Sequence, residues 1–248
     1  MSNKEKIFIS VVVPAYNEEK MIASCLASLQ KQSFPKSNYT APYSLYNSNY
    51  EIIVVDNHST DKTGEIAKKM RAKVVLEPQR GVVFALKRGF ANAKGEIVAM
   101  TDADTIVNQD WLKNIVQTFK KDTRVTSVGG RTIFRPRSFL SVLAEPVMNL
   151  GCYLLKIANG ANAALKNEDY REIGGLNEKI NLNWEAELFL RAKKQGKFVF
   201  LWHNPVITSS RHFYGREGLK YCLTGLINAI SLLLFKKPVF YHFKSVRD

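Results

Sequence analysis

Cysteine is scarce. The 248 residues include three, Cys25, Cys152 and Cys222, far apart and with no CxxC pair. That argues against a disulfide framework or a zinc knuckle and sets a reducing cytosolic interior as the expectation. Neither GxGxxG nor GxxxxGK[ST] occurs, which removes the phosphate cradles of dinucleotide folds and P-loop NTPases. Long apolar runs are missing too. The longest, 221–235, is broken by Thr224, Asn228 and Ser231. As a helix it would span ~22 Å against a bilayer core of ~30 Å, so it is expected to lie on a membrane rather than cross one. The first six residues are polar and 7–13 is too short and β-branched for a signal core, so no secretory leader is expected. Repeats, low-complexity tracts and Pro/Gly-rich linkers are also lacking. The expectation is one domain at 1–210 followed by a basic, apolar tail at 211–248.

Acids are in deficit. Lys and Arg number 36 against 22 Asp and Glu, a formal net charge of +14. Residues 186–248 hold 11 Lys/Arg and 3 Asp/Glu, so over half the excess lies in the last quarter. Such a field favours an anionic partner, a nucleotide, a nucleic acid or a lipid headgroup, without choosing among them. No interleaved basic–aromatic RNA motif is present, so no specific nucleic acid is expected.

What is present is an alternation of strands and helices. The β-branched run 7–13, EIIVV at 51–55 and EIVAM at 96–100 read as buried strands, and 73–76 as a further strand. Helices are predicted at 18–30, capped by Asn17, from 59–61 to 71, at 82–93 and at 111–119. Further on, 124–134 reads as one or two strands, 139–155 as an apolar helix interrupted at Pro146, 166–173 and 184–195 as helices, and 198–202 as a strand. This pattern predicts an α/β fold with a mostly parallel central sheet flanked by helices.

Ligands of such sheets sit beyond the carboxyl ends of the strands. The residues there are PAYNE at 14–18, DNHSTD at 56–61, EPQRG at 77–81 and DAD at 102–104. Asp102 and Asp104, two apart on an extended segment, would point the same way and could share a hard divalent cation. A lone DxD is common in turns, and Asp56 could merely cap an Asx-turn. Four histidines, His58, His203, His212 and His242, form no ligand spacing.

Taken together, the segments resemble one family. PAYNE, VVDNHSTD at 54–61, Arg80-Gly81 with Ala85 and Gly89, TDADT at 101–105, GANAALKNEDYREIGGLNE at 160–178 and WEAELFLRAKKQGK at 184–197 occur in the order seen in family 2 glycosyltransferases of GT-A fold. The resemblance covers about residues 7–200. It implies a nucleotide-sugar donor (UDP- or GDP-sugar), a glycan or lipid-linked acceptor, Mn²⁺ or Mg²⁺ as cofactor, and inversion at the anomeric centre. Residue by residue it implies Pro14, Ala15, Tyr16 and Glu18 around the base, Asp56 on the base edge, Arg80 and Gly81 near base or phosphates, and Asp102 and Ala103 at the ribose. Asp104, with Asp102, would hold the metal. Asn162 and Trp184 fall to the substrate, and Arg211 and His212 to the donor phosphates. Glu185 matches the general base.

Departures are present. Glu stands at 185 in place of the usual Asp, Trp184 in place of Glu, and Lys87 where Asn is common. The loop at 33–50 is longer than usual. Glu187 has a structural partner in Arg191 at i+4. Trp184 and Trp202 read as core or cleft-wall aromatics. The tail, with Phe235, Phe240, Tyr241 and Phe243 among its lysines, suits an interfacial helix on anionic lipid at the cytoplasmic face, or else a helix docked by its apolar side on the domain. A polyprenyl-phosphate acceptor, or a relative that only binds nucleotide or glycan, are the alternatives to transfer onto a hydroxyl.

Overall fold

The computed structural model describes residues 8–33, 50–180, 182–235 and 239. Most of the loop at 33–50 and the aromatics and lysines beyond Phe235 therefore lie outside the described residues. The strands are β1 Ile9–Ala15, β2 Tyr50–Asp56, β3 Lys73–Leu76, β4 Ile97–Met100, β5 Ile106–Val107, β6 Val125–Arg135, β7 Ala163–Lys166 and β8 Lys197–Ser209. The helices are α1 Ile22–Gln30, α2 Thr63–Lys69, α3 Val82–Asn92, α4 Trp111–Lys121, α5 Phe139–Leu155, α6 Asn167–Glu172, α7 Trp184–Ala192 and α8 Gly215–Phe235. A single 3-10 turn at Arg211–Phe213 precedes α8.

All eight strands form one sheet in the order β3-β2-β1-β4-β7-β6-β8-β5. β1 pairs in parallel with β2 and β4, and β2 with β3. β7 runs antiparallel between β4 and β6. β1 is buried on both faces, which is why it reads as an unbroken apolar run. Val11 and Val13 pack with α1 and α4 through Leu26 and Trp111, while Val12 packs on the other side with Leu86 and Phe90 of α3. Gly89 permits that contact, since a Cβ there would stand 2.3 Å from Val12.

Several boundaries differ from the sequence reading. Asn17 does not cap α1. Its φ is +52°, and its side chain accepts the Thr60 N–H instead, at 2.9 Å. The Glu18 carbonyl begins the helical turn by taking the Met21 and Ile22 N–H groups. α2 starts later because Asp61 Oδ1 accepts the Thr63 N–H at 2.9 Å. Pro146 does not interrupt α5, which continues through it to Leu155. β7 is a strand hidden in a small-residue segment, and β8 runs to Ser209, well beyond the predicted 202. Trp202 is neither core nor cleft wall: it is 39% exposed, its ring 4.8 Å from Phe200 and 5.6 Å from Tyr153.

Candidate active site

A cleft of about 540 Å³ opens beyond the carboxyl ends of β1 and β4. Pro14, Ala15 and Tyr16 form its floor where β1 ends. Arg80 lies over the Tyr16 ring, 4.2 Å from the centroid. That arrangement makes a flat, cationic wall of the kind that accepts a planar anionic group. Asn57 holds the wall in place. Its Nδ2 donates to the carbonyls of Glu77 and Gln79 at 3.1 and 2.6 Å, and its Oδ1 accepts the Gly81 N–H at 2.7 Å. Gly81 has φ +135°, a conformation that only glycine adopts without strain.

The acidic end follows β4. Asp102 and Asp104 are not extended. The Thr105 N–H closes a turn onto the Asp102 carbonyl at 3.1 Å, because the chain must reverse here into β5. Both aspartates nevertheless line the cleft, with Ala103 between them. Asp104 Oδ1 accepts from the Thr208 hydroxyl at 3.2 Å. Its Oδ2 accepts from Nη2 of Arg211, and the same nitrogen donates to Oε1 of Glu18. Nη1 of Arg211 donates to the other Glu18 oxygen at 3.1 Å. Glu18 is 2% exposed. Burial pushes its carboxyl up to about 7, against the pull of Arg211. Asp102 is held well above the usual carboxylate range by burial and then by the charges of Asp104 and Glu185, with Arg211 opposing. Burial lowers His212, and the neighbouring Arg211 lowers it further.

Opposite stands Glu185, in the first turn of α7. Burial pushes its carboxyl up to about 7, although its own N–H and that of Gly160 favour the anion. A Cβ on Gly160 would lie 2.8 Å from the Trp184 ring and 3.2 Å from Glu185 Oε1, so this glycine lets both side chains settle against the 159–162 turn. Glu187, the other acid of that helix, is committed to Arg191 by two hydrogen bonds of 2.6 and 2.7 Å.

Not every expected residue meets in the cleft. Asn162 does not line it. It is 2% exposed, accepts from Trp111 Nε1 at 2.9 Å and donates to the carbonyls of Arg131 and Asn204, both at 2.9 Å. Asp56 does not line it either: its Oδ1 takes the Ser59 N–H at 3.0 Å, the Asx-turn role, and its Oδ2 faces Gly64. Nor do Glu18 and Arg211: they stand behind Asp104, with Arg211 bonded to both carboxylates. The structure adds residues that sequence reading passed over: Asn57, Thr208, and an apolar wall of Phe134, Met148, Leu182 and Phe213. Asn57 sits one place after a strand, the position the strand-end rule marks. Thr208 and Phe213 gave no signal, because their partners Asp104 and Phe134 lie far earlier in the chain.

The donor set suits a hard divalent cation. Asp102, Asp104 and Glu185 line one cleft, with Glu18 and Arg211 behind Asp104, and the charges of Asp104 and Glu185 add to burial in raising Asp102. Among the described residues, no three His, Cys, Asp or Glu side chains close into a ready-made cage. A cation that keeps one or two protein carboxylates and takes its remaining ligands from phosphate fits that arrangement.

Residues 10–221 match the model of the glycosyl transferase family 2. The chain belongs to that family. Among family 2 relatives, a Methanococcus voltae dolichyl N-acetyl-alpha-D-glucosaminyl phosphate 3-beta-D-2,3-diacetamido-2,3-dideoxy-beta-D-glucuronosyltransferase is 33% identical over 134 residues, covering 50% of this chain and 38% of that protein. Glycosyltransferase AglE of Haloferax volcanii is 35% identical over 133 residues, 51% of this chain and 40% of that protein. The matches thus span about two-fifths of those relatives' length. In fold the chain is similar to the mannosyltransferase PcManGT of Pyrobaculum calidifontis, solved with GDP-Man and Mn²⁺, with a TM-score of 0.72 at 23% identity over 95% of this chain and 67% of that one. This is the GT-A architecture that the strand-end motifs imply.

Proposed function

We propose that the chain transfers a sugar from a nucleotide-diphosphate donor to a hydroxyl of a glycan or lipid-linked acceptor, with inversion. One observation carries the reading: the acidic turn at 102–104 and the recessed Glu185 face one cleft at the carboxyl edge of the sheet. In this reading Tyr16 and Arg80 receive the base, and Asn57 keeps their wall rigid. Asp104, assisted by Asp102, holds Mn²⁺ or Mg²⁺. When bound, the cation neutralises charge developing on the departing diphosphate. In the same reading His212, which lines the cleft, and Arg211, behind Asp104, turn to the phosphates. Glu185 accepts the proton of the attacking hydroxyl, a poor nucleophile that needs a positioned base. A single inverting displacement needs one such base and no covalent intermediate, by analogy with inverting glycosidases.

A lipid-linked acceptor is supported by the Methanococcus voltae relative, which is named for a dolichyl phosphate-linked substrate, and a nucleotide-sugar donor by a similar fold, TarS of Staphylococcus aureus, solved with UDP-GlcNAc. Peripheral attachment of the basic tail to a membrane belongs to the same reading. The test is direct. UDP-GlcNAc and GDP-Man are offered with Mn²⁺ or with EDTA, and release of nucleoside diphosphate is measured for the native chain and for Asp104→Asn. Mn²⁺-dependent release that the substitution abolishes supports the proposal. Equal release in both proteins overturns it. Donor binding without any release identifies a relative that only binds nucleotide.

A further inference from the structure

α5 is built inside out. Its buried positions are Ser141, Glu145, Asn149 and Cys152, spaced four, four and three apart, so one helical face is polar and points into the protein. Each polar group is engaged there. Asn149 accepts the Thr132 N–H and donates to the Thr132 carbonyl, both at 2.8 Å, and Glu145 accepts the Phe134 N–H at 3.1 Å. The opposite face is apolar and open to the outside: Phe139 is 79% exposed, Val147 67%, Leu154 63% and Leu143 54%. α8 repeats the pattern. Asn228 and Ser231 are buried, while Leu223, Leu226, Ile230 and Leu234 are exposed. The two helices touch. A globular protein ordinarily turns such residues the other way, and a continuous apolar surface of this kind marks an interaction site.

The border of the face identifies the partner. Arg135 and Arg137 precede α5, Lys156 follows it, and Arg216 and Lys220 lie on the first turns of α8, all exposed. The acid of α5 is turned inward, and Glu145 is paired with Arg131 and Arg135. Aromatic side chains stand at the edge, with Tyr153, Trp202 and Tyr214 each partly exposed. Apolar centre, aromatic edge and cationic rim are the layers that an anionic bilayer surface presents in complementary order. Among the described residues no helix is long and apolar enough to cross a membrane.

We infer that the exposed faces of α5 and α8 together form a docking surface for an anionic lipid bilayer. This extends the membrane contact of the tail to a helix seventy residues earlier and fixes the orientation of the domain. Met148, on α5, lines the cleft, so docking sets that cleft wall beside the lipid.

The experiment is flotation of the full chain with vesicles of phosphatidylcholine alone or with phosphatidylglycerol, without donor or acceptor. Binding to the anionic vesicles is expected, weakened by salt and by Arg137→Gln with Lys220→Gln. Leu143→Glu with Val147→Glu should reduce the bound fraction at least tenfold with the melting temperature retained. Leu226→Glu with Ile230→Glu, on the other helix, gives the same reading should the first pair fail to fold. Leu76→Glu, a control on β3, should bind as the native chain does. No binding to anionic vesicles, or undiminished binding in both glutamate pairs, overturns the inference. So does a dimer in solution that the same pairs dissociate, which would assign the face to a second copy of the chain. Because neither donor nor turnover enters, failure here leaves the transferase reading untouched.

Discussion

Arg211 donates from Nη2 to Oδ2 of Asp104, a residue 107 positions earlier, and the same nitrogen bonds Glu18. The guanidinium thus holds the place where a divalent cation on Asp104 would concentrate positive charge. Like charges compete for such a place, and one several ångströms away costs on the order of 2 kcal/mol at an effective dielectric of ~20. Arg211→Ala should therefore tighten Mn²⁺ binding without nucleotide by about thirtyfold, read by Mn²⁺ paramagnetic resonance. In the presence of donor the same variant should turn over more slowly, because the phosphates lose a partner. Weaker Mn²⁺ binding would show that Arg211 serves only to order Asp104.

As the proposed base, Glu185 should set the pH profile. Burial holds its carboxyl at about 7, so below that pH most of it is protonated and cannot accept a proton. kcat/KM should rise with pH through about 7 and flatten above. Glu185→Gln should lose ~10²–10⁴ in kcat. Retained turnover in that variant would instead indicate an acceptor that is already anionic, such as a polyprenyl phosphate. Stability runs the other way. Between the ordinary value of 4.5 and about 7 the folded chain keeps a proton that the unfolded chain has released. Folding stability therefore falls as pH rises through that window, and melting curves of Glu185→Gln should show a smaller fall than the native chain.

The parallel half of the sheet was legible in the sequence because its strands are written in β-branched residues and β1, β2 and β4 are buried: β3 falls on 73–76 as predicted although it is a half-exposed edge strand, while β1 runs two residues past the predicted 13 and β2 one past the predicted 55. β7 was not legible, since Ala163, Ala164 and Leu165 carry no periodicity and are made a strand by β4 and β6 on either side. At the site, residues following strands could be read locally. Asn162 was misplaced because its segment resembles an acceptor loop, and only the three-dimensional fold puts Trp111 beneath it. The outward face of α5 was invisible for a simpler reason: composition gives an apolar helix, and which side faces inward depends on Glu145 and Asn149 finding β6.

Asn162 offers a clean separation of structure from binding. Asn162→Ala leaves Trp111 Nε1 and the carbonyls of Arg131 and Asn204 without their partner in the interior. Each buried group left unsatisfied costs ~1–3 kcal/mol. The variant should melt several degrees lower, yet its donor KM should stay within about twofold of native wherever it is folded. A large rise in donor KM without loss of stability would place this side chain at the substrate after all.

Gly160 tests how closely the base must be held. Its missing side chain leaves room for the Trp184 ring and for Oε1 of Glu185, and its N–H favours the Glu185 anion. A methyl group at 160 must push the indole outward or drive the carboxylate from the 159–162 turn, because 2.8 Å is too close for any Cβ. Base catalysis weakens steeply with misplacement, and an ångström can cost ~10²-fold. Gly160→Ala should therefore lower kcat by about tenfold or more, leave donor affinity unchanged because the proposed base wall of Tyr16 and Arg80 comes from the segments after β1 and before α3 and not from the 159–162 turn, and shift the pH midpoint of kcat/KM above about 7 as the Gly160 N–H is drawn away. A fall in kcat with the pH midpoint unmoved would mean that the methyl group displaces the acceptor, not the base.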